Sequence, residues 1–160
     1  TVLGSHVEQA GAYYDDKRLR FDFTHFAALT KDELKKVEEM VNQEIAKGEL
    51  VKTEEMSLED AKKSGAIALF GEKYGDKVRV VSVGDYSVEL CGGTHVNQSG
   101  SIQGFKILSE QGIAAGVRRI EALTSQNLFD YFQKEEELLK ELSSKLKADP
   151  EHLLQRIESL

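Results

Sequence analysis

The chain has 160 residues, 40% of them apolar and 31% charged, with a net charge of −7 and one cysteine. This balance fits a soluble globular protein and excludes an internal disulfide framework; it suits a reducing, cytoplasmic setting. There is no run of about 18 apolar residues, so no membrane span is expected. The acidic balance argues against broad nucleic-acid binding, but not against a local grip on one nucleic-acid end.

The first residues, TVLGSHVEQAG, lack a start methionine and the basic-then-apolar layout of a signal peptide, so the chain reads as a fragment or a processed product. Residues 6–14, HVEQAGAYY, read as a strand with weak alternation. Residues 18–26, RLRFDFTHF, alternate clearly, with Leu19, Phe21 and Phe23 on one face and Arg20, Asp22 and Thr24 on the other. Asp15-Asp16 between them predicts a hairpin turn.

Thr30-Lys31-Asp32-Glu33 matches a capping box. Leu34, Val37, Val41 and Ile45 then form one apolar helical stripe that ends near Gly48. A short strand over ELVKTEEM follows, and Ser57 opens a second helix that stops at Gly65. From 66 to 123 the pattern is β-like: KVRVVSVG, YSVEL, SIQGFKILSEQG and GVRRIEALT are strand candidates. Strands at both ends with helices inserted predict an α+β class: a mixed or antiparallel sheet with two helices on one side. The glycines of FGEKYG, residues 70–75, lack phosphate-loop spacing, and no nucleotide role is assigned to them.

After Thr124 the character changes. Leu128, Phe132, Leu139, Leu142 and Leu146 follow a heptad track, with Glu135 in one core slot. Asp149-Pro150 breaks that helix and starts another, with aspartate as N-cap and proline at N1. Residues 125–160 therefore read as a helical, coiled-coil-like extension, with self-association as one consequence.

The chemistry concentrates in VELCGGTHV, residues 88–96. Cys91 and His95 admit three readings: a nucleophile with its base, a pair of metal ligands, or a buried cysteine at a strand end followed by a glycine turn. Thiolate and imidazole are preferred zinc donors, and Gly92-Gly93 would let the loop curl through positive φ angles. Two ligands do not complete a zinc site, and the only other histidines are His6, His25 and His152. Arg118-Arg119 could meet phosphates, because adjacent strand residues face opposite ways and at least one should be exposed; a plain surface pair is the equal alternative.

SVELCGGTHV resembles the signature of the editing domain of alanyl-tRNA synthetases, a domain shared as a superfamily with threonyl-tRNA synthetases. GSHVEQAG, LRFDFTHF, GAIALFGEKYGDKVRVVSVGDYSVELCGGTHV and GIAAGVRRIEALTS are similar to that family in the same order, over roughly residues 3–125.

The resemblance implies a zinc ion held by a C-x-x-x-H pair and by an H-x-x-x-H pair on a helix. Cys91 and His95 match the first pair. The second is not in the sequence and is expected upstream of residue 1. Residues 1–124 are then an editing domain without that helix, and 125–160 a helical linker toward an absent C-terminal domain. Zinc is expected to bind weakly or not at all, unless His6 or His25 substitutes as a ligand.

The implied reaction is hydrolysis of seryl- or glycyl-tRNA(Ala), with the acceptor end of tRNA(Ala) as partner and an ATP-dependent synthetase as parent. Gln9 matches a family glutamine of the editing pocket, and Thr94 is expected to line the same pocket. Two alternatives stand beside this reading. One is a free-standing editing protein; the other is a non-catalytic interaction module whose CGGTH is only structural.

Overall fold

Asp15 closes the first hairpin. Its Oδ1 accepts the amide N–H groups of Lys17 and Arg18, both at 2.8 Å. Strand β1 (Gln9–Tyr14) thereby turns back antiparallel into β2 (Leu19–Thr24), as the Asp15-Asp16 signal predicts. The computed structural model describes residues 1–68 and 73–160. Residues 70–72 of the FGEKYG stretch lie outside the described residues.

The alternation of β2 decides its packing. Phe23 is buried, and Leu19 and Phe21 pack on the same cluster. β2 pairs antiparallel with β7 (Val117–Thr124), which pairs antiparallel with β6 (Phe105–Ala114). The four-stranded order is β1-β2-β7-β6. Register places Phe21 beside Ile120 and Leu19 beside Ala122, so one face carries the core of Phe23, Leu29, Ile120 and Ala122. Each large side chain removed from water there contributes about 1.5–3 kcal/mol.

Helix α1 (Lys31–Lys47) begins at the capping box predicted for it. The Glu33 amide donates to Thr30 Oγ1 at 3.2 Å, and the Glu33 carboxylate accepts the Thr30 amide at 2.8 Å. Leu34 packs on the first core and Ile45 is buried. Gly48 ends the helix at φ 65°, with its N–H on the Ile45 carbonyl.

A second sheet follows, built from β3 (Val51–Ser57), β4 (Lys77–Val83) and β5 (Ser87–Leu90), in that order and antiparallel. Ser57 caps the short helix α2 (Leu58–Lys63) by accepting the Asp60 amide. Ala61 of α2 packs with Val78, Val80 and Leu90. Ile67 adds a parallel bridge to Glu89.

The α+β class is what the sequence predicts, but the strands divide into two sheets, each with its own helix and core. The segment SIQG, read as the start of a strand, is not strand: Ser101 and Ile102 end a 3-10 turn over Ser99–Ile102, and β6 begins only at Phe105. The reason is Ser99, buried at 5% exposure. Its hydroxyl accepts the Glu49 amide at 2.9 Å and donates to the Glu44 carbonyl at 3.1 Å. One side chain thus satisfies backbone groups at the end of α1 and the entry to β3, and bends its own segment to do so.

The chain forms two compact units, Thr1–Ser125 and Gln126–Leu160. In the helical region, α3 (Ser125–Leu146) is followed by a 3-10 turn at Pro150–His152 and by α4 (Leu153–Glu158). Asp149 and Pro150 hold the N-cap and N1 positions predicted for them. The Asp149 side chain makes no capping bond, however; the His152 amide uses its carbonyl instead, at 2.9 Å. Arg156 Nε donates to the Leu146 carbonyl at 3.3 Å, covering one of the carbonyls a helix end leaves unpaired. Among the described residues, no helix is long and apolar enough to cross a membrane.

Candidate functional site

Strands β4 and β5 pair with Val80 opposite Leu90. One step further, Cys91 comes opposite Arg79, and the Cys91 amide donates to the Arg79 carbonyl at 3.1 Å. The Arg79 guanidinium turns onto the loop and donates to the Cys91 carbonyl at 3.0 Å and to the Gly93 carbonyl. The loop is therefore fastened by its main chain. Cys91 is left half-buried, with Thr94 and His95 exposed.

The glycines of this loop act differently from expectation. Neither Gly92 nor Gly93 takes a positive φ. Nor does crowding require them. A Cβ on Gly92 would meet nothing within 4 Å, and one on Gly93 would sit 3.6 Å from Cys91 Sγ. The Arg79 bonds to the loop carbonyls hold the curl.

Tyr14, at the end of β1, reaches the same region. Its ring is largely exposed, but partial burial of the hydroxyl raises its pKa, and the nearby Glu89 and Cys91 raise it further. Gln9 starts the same strand, half-buried and in register with Phe23. A six-residue strand puts Gln9 about 16 Å from Tyr14 along β1.

His6 and His25 stand together: His6 Nε2 and His25 Nδ1 are 2.8 Å apart, and the rings stack at 5.1 Å. Among the described residues no three His, Cys, Asp or Glu side chains converge as a metal site. Neither histidine therefore joins Cys91 and His95 in a three-ligand cluster. The thiol and imidazole of CGGTH are donors of the kind zinc takes, and two such donors do not make a site by themselves.

Arg118 and Arg119 are not the free phosphate contacts the sequence suggests. Arg119 forks onto Asp22 at 2.7 and 2.8 Å, and Arg118 Nε pairs with the carboxylate of Glu110. Both arginines are half-buried. Cross-strand register explains the first pair, since Asp22 stands directly opposite Arg119.

Residues 78–121 match the family described as the threonyl and alanyl tRNA synthetase second additional domain. The match contains Arg79, Cys91 and His95. Alanine–tRNA ligase 1 of Lachnoclostridium phytofermentans is 67% identical over 159 residues, which is 99% of this chain and 18% of that protein. The alanine–tRNA ligase of Acetivibrio thermocellus is 55% identical over the same shares, and that of Alkaliphilus metalliredigens 57%. The chain is a segment of the alanyl-tRNA synthetase family. It spans about a fifth of the length of the relatives it matches.

Within this synthetase segment, sequence reasoning missed two groups that the fold brings to the Cys91 loop. Arg79 could have been found from strand pairing alone, because antiparallel register sets it opposite Cys91. Tyr14 had no such signal, since it stands 77 residues before Cys91 in the sequence.

Proposed function

We propose that this segment is the editing part of an ATP-dependent alanine–tRNA ligase, hydrolysing serine or glycine wrongly esterified to tRNA(Ala). The supporting observation is the identity over nearly the whole chain to alanine–tRNA ligases, carrying the Cys91–His95 pair on a loop fastened by Arg79. The physical need is plain. A pocket for alanine cannot exclude the smaller glycine sterically, and one extra hydroxyl on serine allows only modest discrimination. A second, hydrolytic site corrects the error.

In this reading, Cys91 and His95 supply two ligands to a zinc ion, and further ligands come from elsewhere in the longer ligase. Bound there, zinc would polarise the ester or lower the pKa of a water. Gln9 supplies an amide that both donates and accepts, suited to hold the ester or the serine hydroxyl. Thr94 places its hydroxyl on the same loop as the metal ligands. The 3′ acceptor end of tRNA(Ala) is the partner.

The test is deacylation of seryl-tRNA(Ala) by the full-length ligase, with and without Cys91→Ala. Loss of hydrolysis with aminoacylation retained supports the proposal. Equal rates would remove the metal from it.

A second reading concerns residues 126–160 by themselves. Phe132, Leu139 and Leu142 remain between 40% and 49% exposed on α3. An apolar heptad face of this kind suits self-association of the helical segment.

A further inference from the structure

β1 lies at the edge of the four-stranded sheet, and its pairing with β2 is interrupted by a register shift between Gln9 and Gly11. At a bulge the ladder is locally disrupted and the extra residue is left unpaired. Gln9 sits at that irregularity, so the ladder alone does not fix it.

What fixes it lies just before the strand. Thr24 Oγ1 accepts the Glu8 amide at 2.9 Å and donates to the His6 carbonyl at 3.0 Å. The Thr24 amide donates to the Glu8 carbonyl at 3.0 Å. Above these bonds, His6 Nε2 and His25 Nδ1 share a hydrogen bond of 2.8 Å between stacked rings. The His25 amide in turn donates to the Gly116 carbonyl at 3.0 Å, anchoring the pair to the start of β7.

Gly4 completes the arrangement. It holds φ at 116°, and a Cβ there would lie 2.9 Å from His6 Nδ1. Glycine both permits the backbone and leaves space for the ring.

We propose that His6 and His25 form a latch that holds the Glu8–Gln9 backbone in register and so positions Gln9 for the reaction. The inference rests on the proposed editing function for its consequence, but not for its geometry. A neutral imidazole offers one donor and one acceptor, so the two rings make one bond without a third partner. Both histidines are positioning residues and act through Gln9.

Two measurements test this. The first uses this chain and needs no activity. In His6→Ala, amide exchange at Glu8 and Thr24 should quicken and the Gln9 backbone resonances should move, with the core of Phe23 and Ile120 unchanged. In His6→Gln, whose amide nitrogen reaches the place of Nε2, both should return toward the parent values. Unchanged exchange and unchanged Gln9 resonances in His6→Ala would overturn the latch.

The second uses a full-length alanine–tRNA ligase carrying this segment and follows seryl-tRNA(Ala) hydrolysis. His6→Ala should lower kcat tenfold to a hundredfold, the order expected of a catalytic group displaced by about 1 Å. His6→Gln should recover most of the loss. On a Gln9→Ala background, His6→Ala should cost nothing further, because the two act as one unit. Fully additive losses would overturn the latch. Unchanged hydrolysis in Gln9→Ala alone would instead overturn the proposed role of Gln9, and the exchange measurement would still decide the latch.

Discussion

Arg79 is bonded to Gly93 through the main chain, by a guanidinium that also holds the Cys91 carbonyl. A side chain on β4 thus shapes the loop that carries the proposed zinc ligands, without touching their donor atoms. Arg79→Met would keep the aliphatic stem and remove the donors. The expected result is faster amide exchange across residues 92–95 and a stability loss of about 1 kcal/mol, typical of a partly exposed hydrogen bond. Thermal melting and hydrogen exchange on the isolated chain check both. Unchanged exchange in the loop would mean that Arg79 does not set its shape.

Asp22 and Arg119 make the matching prediction for the first sheet. The hydrogen bonds from Arg119 are the main reason the Asp22 carboxyl stays below the usual carboxylate range; burial opposes them, and the charges of Arg119 and Arg20 add to them. A folded-state pKa below the unfolded value gives stability that is present above about pH 4 and lost as pH falls through the folded value. Asp22→Asn should therefore melt lower than the parent at pH 7, and the gap should narrow below about pH 4. A gap that stays constant from pH 7 to pH 3 would contradict the ionic origin.

The legible parts of this fold are those governed by local rules. The capping box at Thr30 and Glu33, the stripe from Leu34 to Ile45 and the alternation of Leu19, Phe21 and Phe23 all follow from spacing within a few residues. The division into two sheets was not legible, because it rests on pairings such as that of β2 with β7, whose partners lie about a hundred positions apart. The site divides the same way. Cys91 and His95 are visible as a motif four residues apart. The ion pairs of Arg118 and Arg119 come from cross-strand register, and His6 meets His25 beyond the end of the β1–β2 ladder, neither of which a linear pattern fixes.

Zinc gives a prediction about the isolated chain. Two donors on one loop, with no third His, Cys, Asp or Glu converging among the described residues, make an open shell rather than a site. The purified chain, dialysed against micromolar zinc, should retain far less than one equivalent by elemental analysis. Cys91→Ala should lower the remainder further, since it removes the thiolate donor. Tightly held, stoichiometric zinc would contradict this, and its survival in Cys91→Ala would place the metal elsewhere.

The helical segment can be tested apart from any catalysis. Leu139 is 40% exposed and Leu142 is 42% exposed, on the heptad track that also carries Phe132. In water such a face gains by pairing with a like face, and one charge at a core position is costly to bury in the pair. Intrahelical ion pairs such as Glu136–Lys140 and Glu141–Lys145 support α3 on its polar side and would survive the change. Leu139→Lys should thus leave helicity by circular dichroism nearly unaltered and weaken association at least tenfold in sedimentation equilibrium, a change of about 1.4 kcal/mol or more. Association that persists in the variant would exclude the Leu139 face as its cause. A parent chain that stays monomeric at every concentration would exclude self-association through this segment altogether.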